Sequence, residues 1–263
     1  MSTILDEIVA NRRMEVSKQK KEIPLAEIQA KINYSNVCNS LSDELLLQGS
    51  SGIIAEFKRR SPSKGAINES AKPEIVTKGY ADAGASGLSV LTDMKYFGGS
   101  TADFEAARKA NQFIPLLRKD FMIDEYQLFE SRLLNVDVIL LIAAVLRKTE
   151  ISRFTSIAHE LGMEVLLELH DENEIDKIDN KVDMIGINNR NLKDFKVDMD
   201  RSLKLLDRLP AKTVRISESG LSDPETVDFL RERGFHGFLM GENFMKSENP
   251  AIACRNFISK LKH

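Results

Sequence analysis

Glu56 and Lys58 stand two positions apart at the end of the apolar run Ile53-Ile54-Ala55. Side chains of an extended strand alternate between faces, so the pair points to one side, where the carboxylate keeps the ammonium protonated. Four further apolar runs end on charged or polar residues: Ile114 to Lys119, Val165 to Glu168, Met184 to Arg190, and Val214 to Glu218. As parallel strands their carboxyl ends lie together, which is where α/β enzymes keep their chemistry.

The residue types suit proton transfer and anion binding. Lys119 shares strand parity with the apolar Leu117 and so points inward. Burial is expected to lower its pKa toward neutrality and make it a general acid. Glu168, closing Val165-Leu166-Leu167, is the natural general base. In Gly186-Ile187-Asn188-Asn189-Arg190-Asn191-Leu192, Asn188 suits a hydroxyl and Arg190 an anion. Ser217-Glu218-Ser219-Gly220 and Met240-Gly241-Glu242-Asn243 have the glycine-bearing turns from which barrels build a phosphate site after their seventh and eighth strands. Ser61-Pro62-Ser63-Lys64-Gly65 has the composition of a mobile active-site loop beside Lys58.

Each feature alone has an ordinary reading. Glu56 with Lys58 is also a salt bridge closing a barrel end, Lys119 a solvated lysine, Arg190 a surface ion pair on an Asn-rich turn, and Ser61 to Gly65 a linker. Glu168 with His170 suggests a metal, but His159, His236 and His263 offer no ligand spacing, so no metal is expected. Neither cysteine has a nearby base and no glycine-flanked serine elbow occurs, which leaves nucleophilic catalysis without a candidate. No GxGxxG or GxxxxGK[ST] occurs, which favours a closed barrel over a doubly wound open sheet with its glycine-rich first turn; no cofactor is expected.

Eight short strands are required to position these groups: 53–58, 87–92, 114–119, 137–142, 164–169, 183–188, 213–218 and 237–241. Helical stretches alternate with them: 73–83, 102–110, 124–134, 150–161, 172–178, 200–209, 224–233 and 250–261, with Gly84, Gly162 and Gly234 past helix ends. Runs such as Val138-Ile139-Leu140-Leu141-Ile142 imply strands buried on both faces. The expectation is an α/β chain forming a (β/α)8 TIM barrel, one domain over 1–263, with residues 1–50 as a helical N-terminal extension. That extension carries the stripe Ile4, Leu5, Ile8, Val9, and Thr3 with Asp6 as a cap; membrane docking is the rival to packing on the barrel.

The 263 residues, 42% of them hydrophobic, suffice for one such barrel. A net charge of -3, from 37 basic and 40 acidic residues, disfavours nucleic acid and anionic membranes and favours a small molecule. Cys38 and Cys254 form no CxxC, and Met-Ser-Thr-Ile-Leu-Asp-Glu lacks the order of a signal peptide, so a reduced, cytoplasmic protein is expected. The apolar run Val138 to Leu146 is too short to span a bilayer.

Glu56-Phe57-Lys58-Arg59-Arg60-Ser61-Pro62-Ser63-Lys64-Gly65, Leu91-Thr92-Asp93 with Phe97-Gly98-Gly99-Ser100, Leu117-Arg118-Lys119-Asp120-Phe121, Leu167-Glu168-Leu169-His170, Gly186-Ile187-Asn188-Asn189-Arg190 and Glu218-Ser219-Gly220 occur in the order of the motifs of the indole-3-glycerol phosphate synthase family, which the chain resembles. The resemblance implies cyclisation of 1-(2-carboxyphenylamino)-1-deoxyribulose 5-phosphate with loss of CO2 and water, in tryptophan biosynthesis. It implies Lys119 as the acid on the ribulose carbonyl and Glu168 as the base in the dehydration. Lys58, paired with Glu56, would hold the substrate carboxylate; Asn188 and Glu218 would hold hydroxyls. Arg190, Ser219, Gly220, Gly241 and Glu242 would surround the phosphate, with Ser61 on the loop and Phe121 against the aromatic ring. A monomer acting on a phosphorylated small molecule is expected. The chain departs from the family at Arg60, where a small residue is common, at Asn135-Val136, where Gly-Ala is common, and at Glu242, where serine also occurs. Rival readings are another phosphate-binding barrel, such as phosphoribosylanthranilate isomerase, and a phospholigand-binding barrel without turnover.

Overall fold

The computed structural model describes residues 3–190 and 196–262. Asn191 and Leu192, which follow Arg190 in its motif, and His263 lie outside the described residues. Three helices, α1 (Ile4–Glu22), α2 (Leu25–Lys31) and α3 (Leu41–Leu46), precede the first strand. Eight parallel strands follow: β1 (Ile53–Phe57), β2 (Gly87–Leu91), β3 (Leu116–Lys119), β4 (Val138–Ile142), β5 (Glu164–Leu169), β6 (Met184–Asn188), β7 (Val214–Glu218) and β8 (Gly237–Met240). Each pairs with the next, and β8 closes on β1, with Phe238 opposite Ile53. This is the expected (β/α)8 barrel. Among the described residues, no helix is long and apolar enough to cross a membrane.

The connections carry α4 (Pro73–Asp82), α5 (Met94–Phe97), α6 (Thr101–Ala110), α7 (Tyr126–Leu133), α8 (Lys148–Glu160), α9 (Met199–Leu206), α10 (Pro224–Glu232), α11 (Glu242–Met245) and α12 (Pro250–Ile258). The stretch after β5, expected as a helix over 172–178, is a 3-10 helix at Glu172–Lys177. It is six residues long, and the Asp171 carboxylate caps it by accepting from the Asn173 N–H at 2.9 Å, so it tightens into i→i+3 turns. β3 starts at Leu116 rather than 114; Pro115 has no N–H to give a ladder, though its carbonyl accepts from the Leu88 N–H at 2.9 Å. Asn135 takes the left-handed conformation after α7, with φ 57°, which asparagine tolerates better than most residues. Arg60 lies on the ribbon formed by Arg60–Ser61 with Gly65–Ala66, 3.7 Å from Glu69.

The extension closes both ends of the barrel. At the bottom, the buried Leu41 and Leu45 of α3 pack under the inward side chains Ile54, Leu117, Leu166, Met184 and Ile216. Glu164, the first residue of β5, accepts from the N–H groups of Leu41 and Ser42 at 2.8 and 3.1 Å and from both serine hydroxyls beside them. A carboxylate thus satisfies donors that the start of a helix leaves open. At the top, α1 begins with the expected cap: the Thr3 N–H donates to the Asp6 carboxylate at 2.8 Å, and the Asp6 N–H to the Thr3 hydroxyl at 3.2 Å.

Alternation along β3 places Leu117 and Lys119 inside the barrel and Arg118 and Asp120 outside it, under the helices. Arg118 is fully buried; its guanidinium meets Asp120 at 2.9 Å, Glu130 at 2.6 Å and Ser131 at 3.0 Å. Thr92 donates to Asp120 at 2.6 Å. Arg12, buried on α1, reaches the same carboxylate at 2.5 Å and so fastens the extension to the end of β3. Burial alone would raise the Asp120 carboxyl, but Arg118 and Arg12 hold it below the usual carboxylate range.

Asp120→Asn removes the one fully buried carboxylate that the two arginines share, leaving Arg118 with Glu130 and Arg12 with Glu15, both more exposed. The expected cost is about 3–5 kcal/mol, read from the shift of the urea unfolding midpoint. An unchanged midpoint would show that Asp120 does not fasten α1.

Candidate active site

Every inward position at the carboxyl ends of the strands feeds one cavity of about 400 Å³. Lys119 at the end of β3 is its centre. Its ammonium donates to Glu168 on β5 and, at 2.9 Å, to Glu218 on β7. Neither carboxylate is adjacent to β3 in the sheet, so both reach across the barrel interior to the lysine. Gly186 on β6, between them, leaves the needed room: a Cβ there would lie 2.1 Å from Glu218 Oε1. The Asn188 amide donates to Glu168 Oε1 at 3.1 Å, and His170 Nε2 lies 2.9 Å from the same oxygen. Lys58 and Glu56 pair at 2.7 Å at the end of β1, as their spacing requires.

Protonation follows from burial and neighbours. Burial works to discharge Lys119, but Glu168 and Glu218 outweigh it, and the ammonium is held well above its ordinary value. This reverses the expectation that burial would bring it toward neutrality: the lysine is buried among carboxylates rather than alone. Burial likewise opposes the Glu168 charge, yet Lys119 and His170 keep it ionised, well below the usual range. Burial pushes Glu218 up to about 8, against the pull of Lys119 and with the repulsion of Glu168. These directions favour the ammonium at Lys119, the carboxylate at Glu168 and the protonated acid at Glu218 near neutral pH.

The rim divides into two arcs. On β6 to β8, the Arg190 N–H donates to Asn188 Oδ1 at 3.0 Å, and its guanidinium lies 3.5 Å from Glu242 Oε2. Lys64 approaches the other Glu242 oxygen at 3.9 Å. Ser219 and Gly220 are both left-handed, at φ 69° and 74°. Glycine is required at the second, where a Cβ would stand 2.4 Å from Val197 Cγ1. Asn189 holds this turn by donating to the Ser219 carbonyl at 2.7 Å and the Ser217 hydroxyl at 3.1 Å. Gly241 and Glu242 complete this arc at the end of β8.

The opposite arc is apolar. Phe121 after β3 and Phe97 on α5 lie with ring centroids 6.2 Å apart, and Ile4, Leu5 and Ile8 of α1 line the cavity with them. Ser61, buried on the ribbon, lines the edge beside Lys58.

The cavity thus brings together all the residues expected from the sequence: Glu56, Lys58, Ser61, Lys119, Phe121, Glu168, Asn188, Arg190, Glu218, Ser219, Gly220, Gly241 and Glu242. Sequence reasoning missed Asn189, which reads as one more asparagine in a polar turn, and read the α1 stripe as packing on the barrel, with membrane docking as the rival, not as lining for the cavity. It weighed His170 only as a metal ligand. Among the described residues, no group of three or more His, Cys, Asp or Glu side chains is placed to hold a metal ion.

Comparison with known proteins agrees with this architecture. Residues 5–257 match the family model described as indole-3-glycerol phosphate synthase. A protein of that name from Bacteroides thetaiotaomicron is 49% identical over 262 residues, covering 100% of both chains. Another, from Neisseria gonorrhoeae, is 44% identical over 253 residues, covering 95% of this chain and 96% of its own. Among solved structures, a tryptophan synthase alpha subunit from Legionella pneumophila superposes with a TM-score of 0.61 at 12% identity, over 84% of this chain and 96% of its own. A thiamine phosphate pyrophosphorylase from Pyrococcus furiosus gives 0.59 at 12% identity, over 84% and 98%. These two show the fold alone, whereas the match over nearly the whole length and the identities above 40% place the chain in the indole-3-glycerol phosphate synthase family.

Proposed function

We infer that the protein is an indole-3-glycerol phosphate synthase, converting 1-(2-carboxyphenylamino)-1-deoxyribulose 5-phosphate to indole-3-glycerol phosphate, CO2 and water in tryptophan biosynthesis. The observation that carries the mechanism is the Lys119 ammonium bound to both Glu168 and Glu218 at the floor of a cavity with an anionic-ligand arc on one side and an apolar arc on the other. The substrate has the matching layout, a phosphorylated chain joined to an aromatic ring with its own carboxylate. Held at both ends, it bends so that the ring carbon bearing the carboxylate approaches the ketone.

As that carbon–carbon bond forms, Lys119 gives its proton to the ketone oxygen. A lysine held charged by its neighbours remains loaded for this step, and the substrate, by displacing Glu168 and Glu218 from it, lowers its hold on the proton. Loss of CO2 then restores the aromatic ring. A lysine ammonium of the site protonates the hydroxyl, which departs as water while Glu168 removes a proton from the adjacent carbon, completing the indole; the two steps take up two protons and release one, and solvent supplies the difference. Lys58 with Glu56 holds the substrate carboxylate, and Asn188 and Glu218 hold hydroxyls. Arg190, the Ser219-Gly220 turn, Gly241 and Glu242 surround the phosphate; Phe121 packs on the ring, and Ser61 lies on the loop that borders it. An isomerase such as that for phosphoribosylanthranilate has no use for two lysines and Glu168 on separate strands.

The extension and the barrel act as one domain, which α1 supports by roofing the cavity and α3 by plugging the floor. A monomer is supported by the assembly of the whole ring from one chain. The net charge of -3 supports a small phosphorylated substrate over nucleic acid, and the reading carries with it a place in the cytoplasm.

Purified protein given the substrate should produce indole fluorescence and CO2 together. Lys119→Ala and Glu168→Gln should each lower turnover by roughly 10²-fold or more while ligand still binds; near-normal turnover in either would remove that residue from the mechanism. Arg190→Ala should chiefly raise KM, and an unchanged KM would deny it the phosphate. The raised Glu218 carboxyl gives a further, purely thermodynamic expectation. The folded state holds a proton that the unfolded state has lost, so stability falls as pH rises from the ordinary value of 4.5 toward about 8. Glu218→Gln removes that loss, so its Tm should gain on the wild type across this window; a constant difference would place the Glu218 value in the normal range.

A further inference from the structure

The ribbon beside Lys58 is pinned at its base and exposed at its tip. The N–H groups of Ile67 and Asn68 donate to the Arg59 carbonyl at 2.8 and 3.1 Å. The Asn68 amide donates to the Met245 carbonyl on α11 at 3.2 Å, which sets the ribbon against the connection that follows β8. Between these ties the chain turns back at Gly65, whose φ of 69° suits glycine, and leaves the Lys64 side chain more than half exposed.

From that tip the Lys64 ammonium reaches the arc formed by β6 to β8. It lies 3.9 Å from Glu242 Oε1, and the Arg190 guanidinium lies 3.5 Å from Oε2 of the same carboxylate. One carboxylate thus stands between two cations, one from the connection after β1 and one from the end of β6. Both separations exceed the roughly 2.7–2.9 Å of a tight charge-assisted hydrogen bond, so neither contact is closed. Pairs this exposed add little to stability. What sets them apart is their position, on the arc assigned to the substrate phosphate.

We propose that Lys64 is a phosphate-contact residue of the substrate site and that the Glu242 carboxylate holds the place of the phosphate between Lys64 and Arg190 until substrate arrives, a role that rests on the reading of this arc as the phosphate site. A phosphate ester presents oxygens spaced much as those of a carboxylate and carries about two negative charges near neutral pH, so it displaces the singly charged Glu242 from both cations. Arg190 receives it through the planar fork that suits carboxylate and phosphate alike, and Lys64 receives it as a point charge. The displaced carboxylate has another cation at hand. Lys246 stands one helical turn on, its N–H donating to the Glu242 carbonyl at 3.2 Å, and it lines the cavity. The exchange breaks no covalent bond and moves no proton.

Glu242 is in this way an internal competitor. In the empty arc it keeps Lys64 and Arg190 from facing each other as bare like charges, and it lowers the affinity for phosphate because it must be displaced. What Lys64 contributes to binding is the difference between its two partners. The same lysine ties the two ends of the site together, since the ribbon that carries it also carries Ser61, buried beside Lys58 at the edge of the cavity. A phosphate held by Lys64 therefore draws down the ribbon that borders the aromatic end.

The test measures binding of inorganic phosphate by calorimetry, beside steady-state turnover, in wild type, Lys64→Ala, Glu242→Gln and the double variant. Lys64→Ala should raise the phosphate Kd and the KM by about 3–10-fold, with a smaller change in kcat, and Lys64→Arg should restore both. Glu242→Gln should lower the phosphate Kd by about threefold or more. The cost of Lys64→Ala should be larger in the Glu242→Gln background, where the lysine has no carboxylate to leave. A pair that merely props the ribbon predicts the opposite sign: Glu242→Gln would weaken phosphate binding as Lys64→Ala does, and the double variant would be no worse than either. That result, or an unchanged phosphate Kd in Lys64→Ala, would overturn the proposal. Lys64-dependent phosphate binding by a wild type that releases no CO2 from the substrate would support this contact and sink the reading of function instead.

Discussion

An ammonium group in the mouth of a nearly dry barrel can persist only if carboxylates come to it, and much of the architecture is arranged around bringing them. Lys119 faces inward because strand β3 alternates, and the same alternation sends Arg118 and Asp120 outward into a second buried ionic cluster. The two networks lie back to back on one four-residue strand. Each constrains the other, because a one-residue slip in register would place Arg118 in the cavity and Lys119 among the helices. Burying both clusters is costly in isolation, and their mutual dependence gives this strand one workable register.

The inner cluster divides labour among chemically similar groups. Glu168 and Glu218 touch the same lysine yet their carboxyls shift in opposite directions, since only one of two close carboxyls in a desolvated site ionises easily. Glu168, with Asn188 and His170 also on it, is the one kept charged. The result is a base poised beside an acid without mutual neutralisation, and a third group able to give or take a proton as substrate arrives.

The barrel and its ring of functional side chains were legible because both rest on strand alternation. Runs such as Val138 to Ile142 announce strands buried on both faces, and charged residues at their carboxyl ends announce the mouth. What stayed hidden depended on contacts distant in sequence. The pKa of Lys119 could not be judged without knowing that Glu168 and Glu218 reach it. Asn189 gained its role from the turn after β7, 30 positions on. The extension was misjudged in emphasis: its apolar stripe signals packing, but not that Ile4, Leu5 and Ile8 roof the cavity while Leu41 and Leu45 plug the floor. The helix expected over 172–178 tightened to a 3-10 turn for a local reason, a short capped connection.

That plug bears on how the chain is made. The donors at the start of α3 are satisfied by Glu164, and the Leu41 N–H stands 123 positions before its carboxylate partner. On a ribosome adding about 5–20 residues per second, the extension waits roughly 6–25 s before β5 has even been synthesised. During that interval Leu41 and Leu45 have no barrel to enter, so α3 can dock only on strands made well after it. At seven and six residues, α2 and α3 are too short to be stable helices alone in water, so they stay loosely formed until the barrel gives them a surface to pack on.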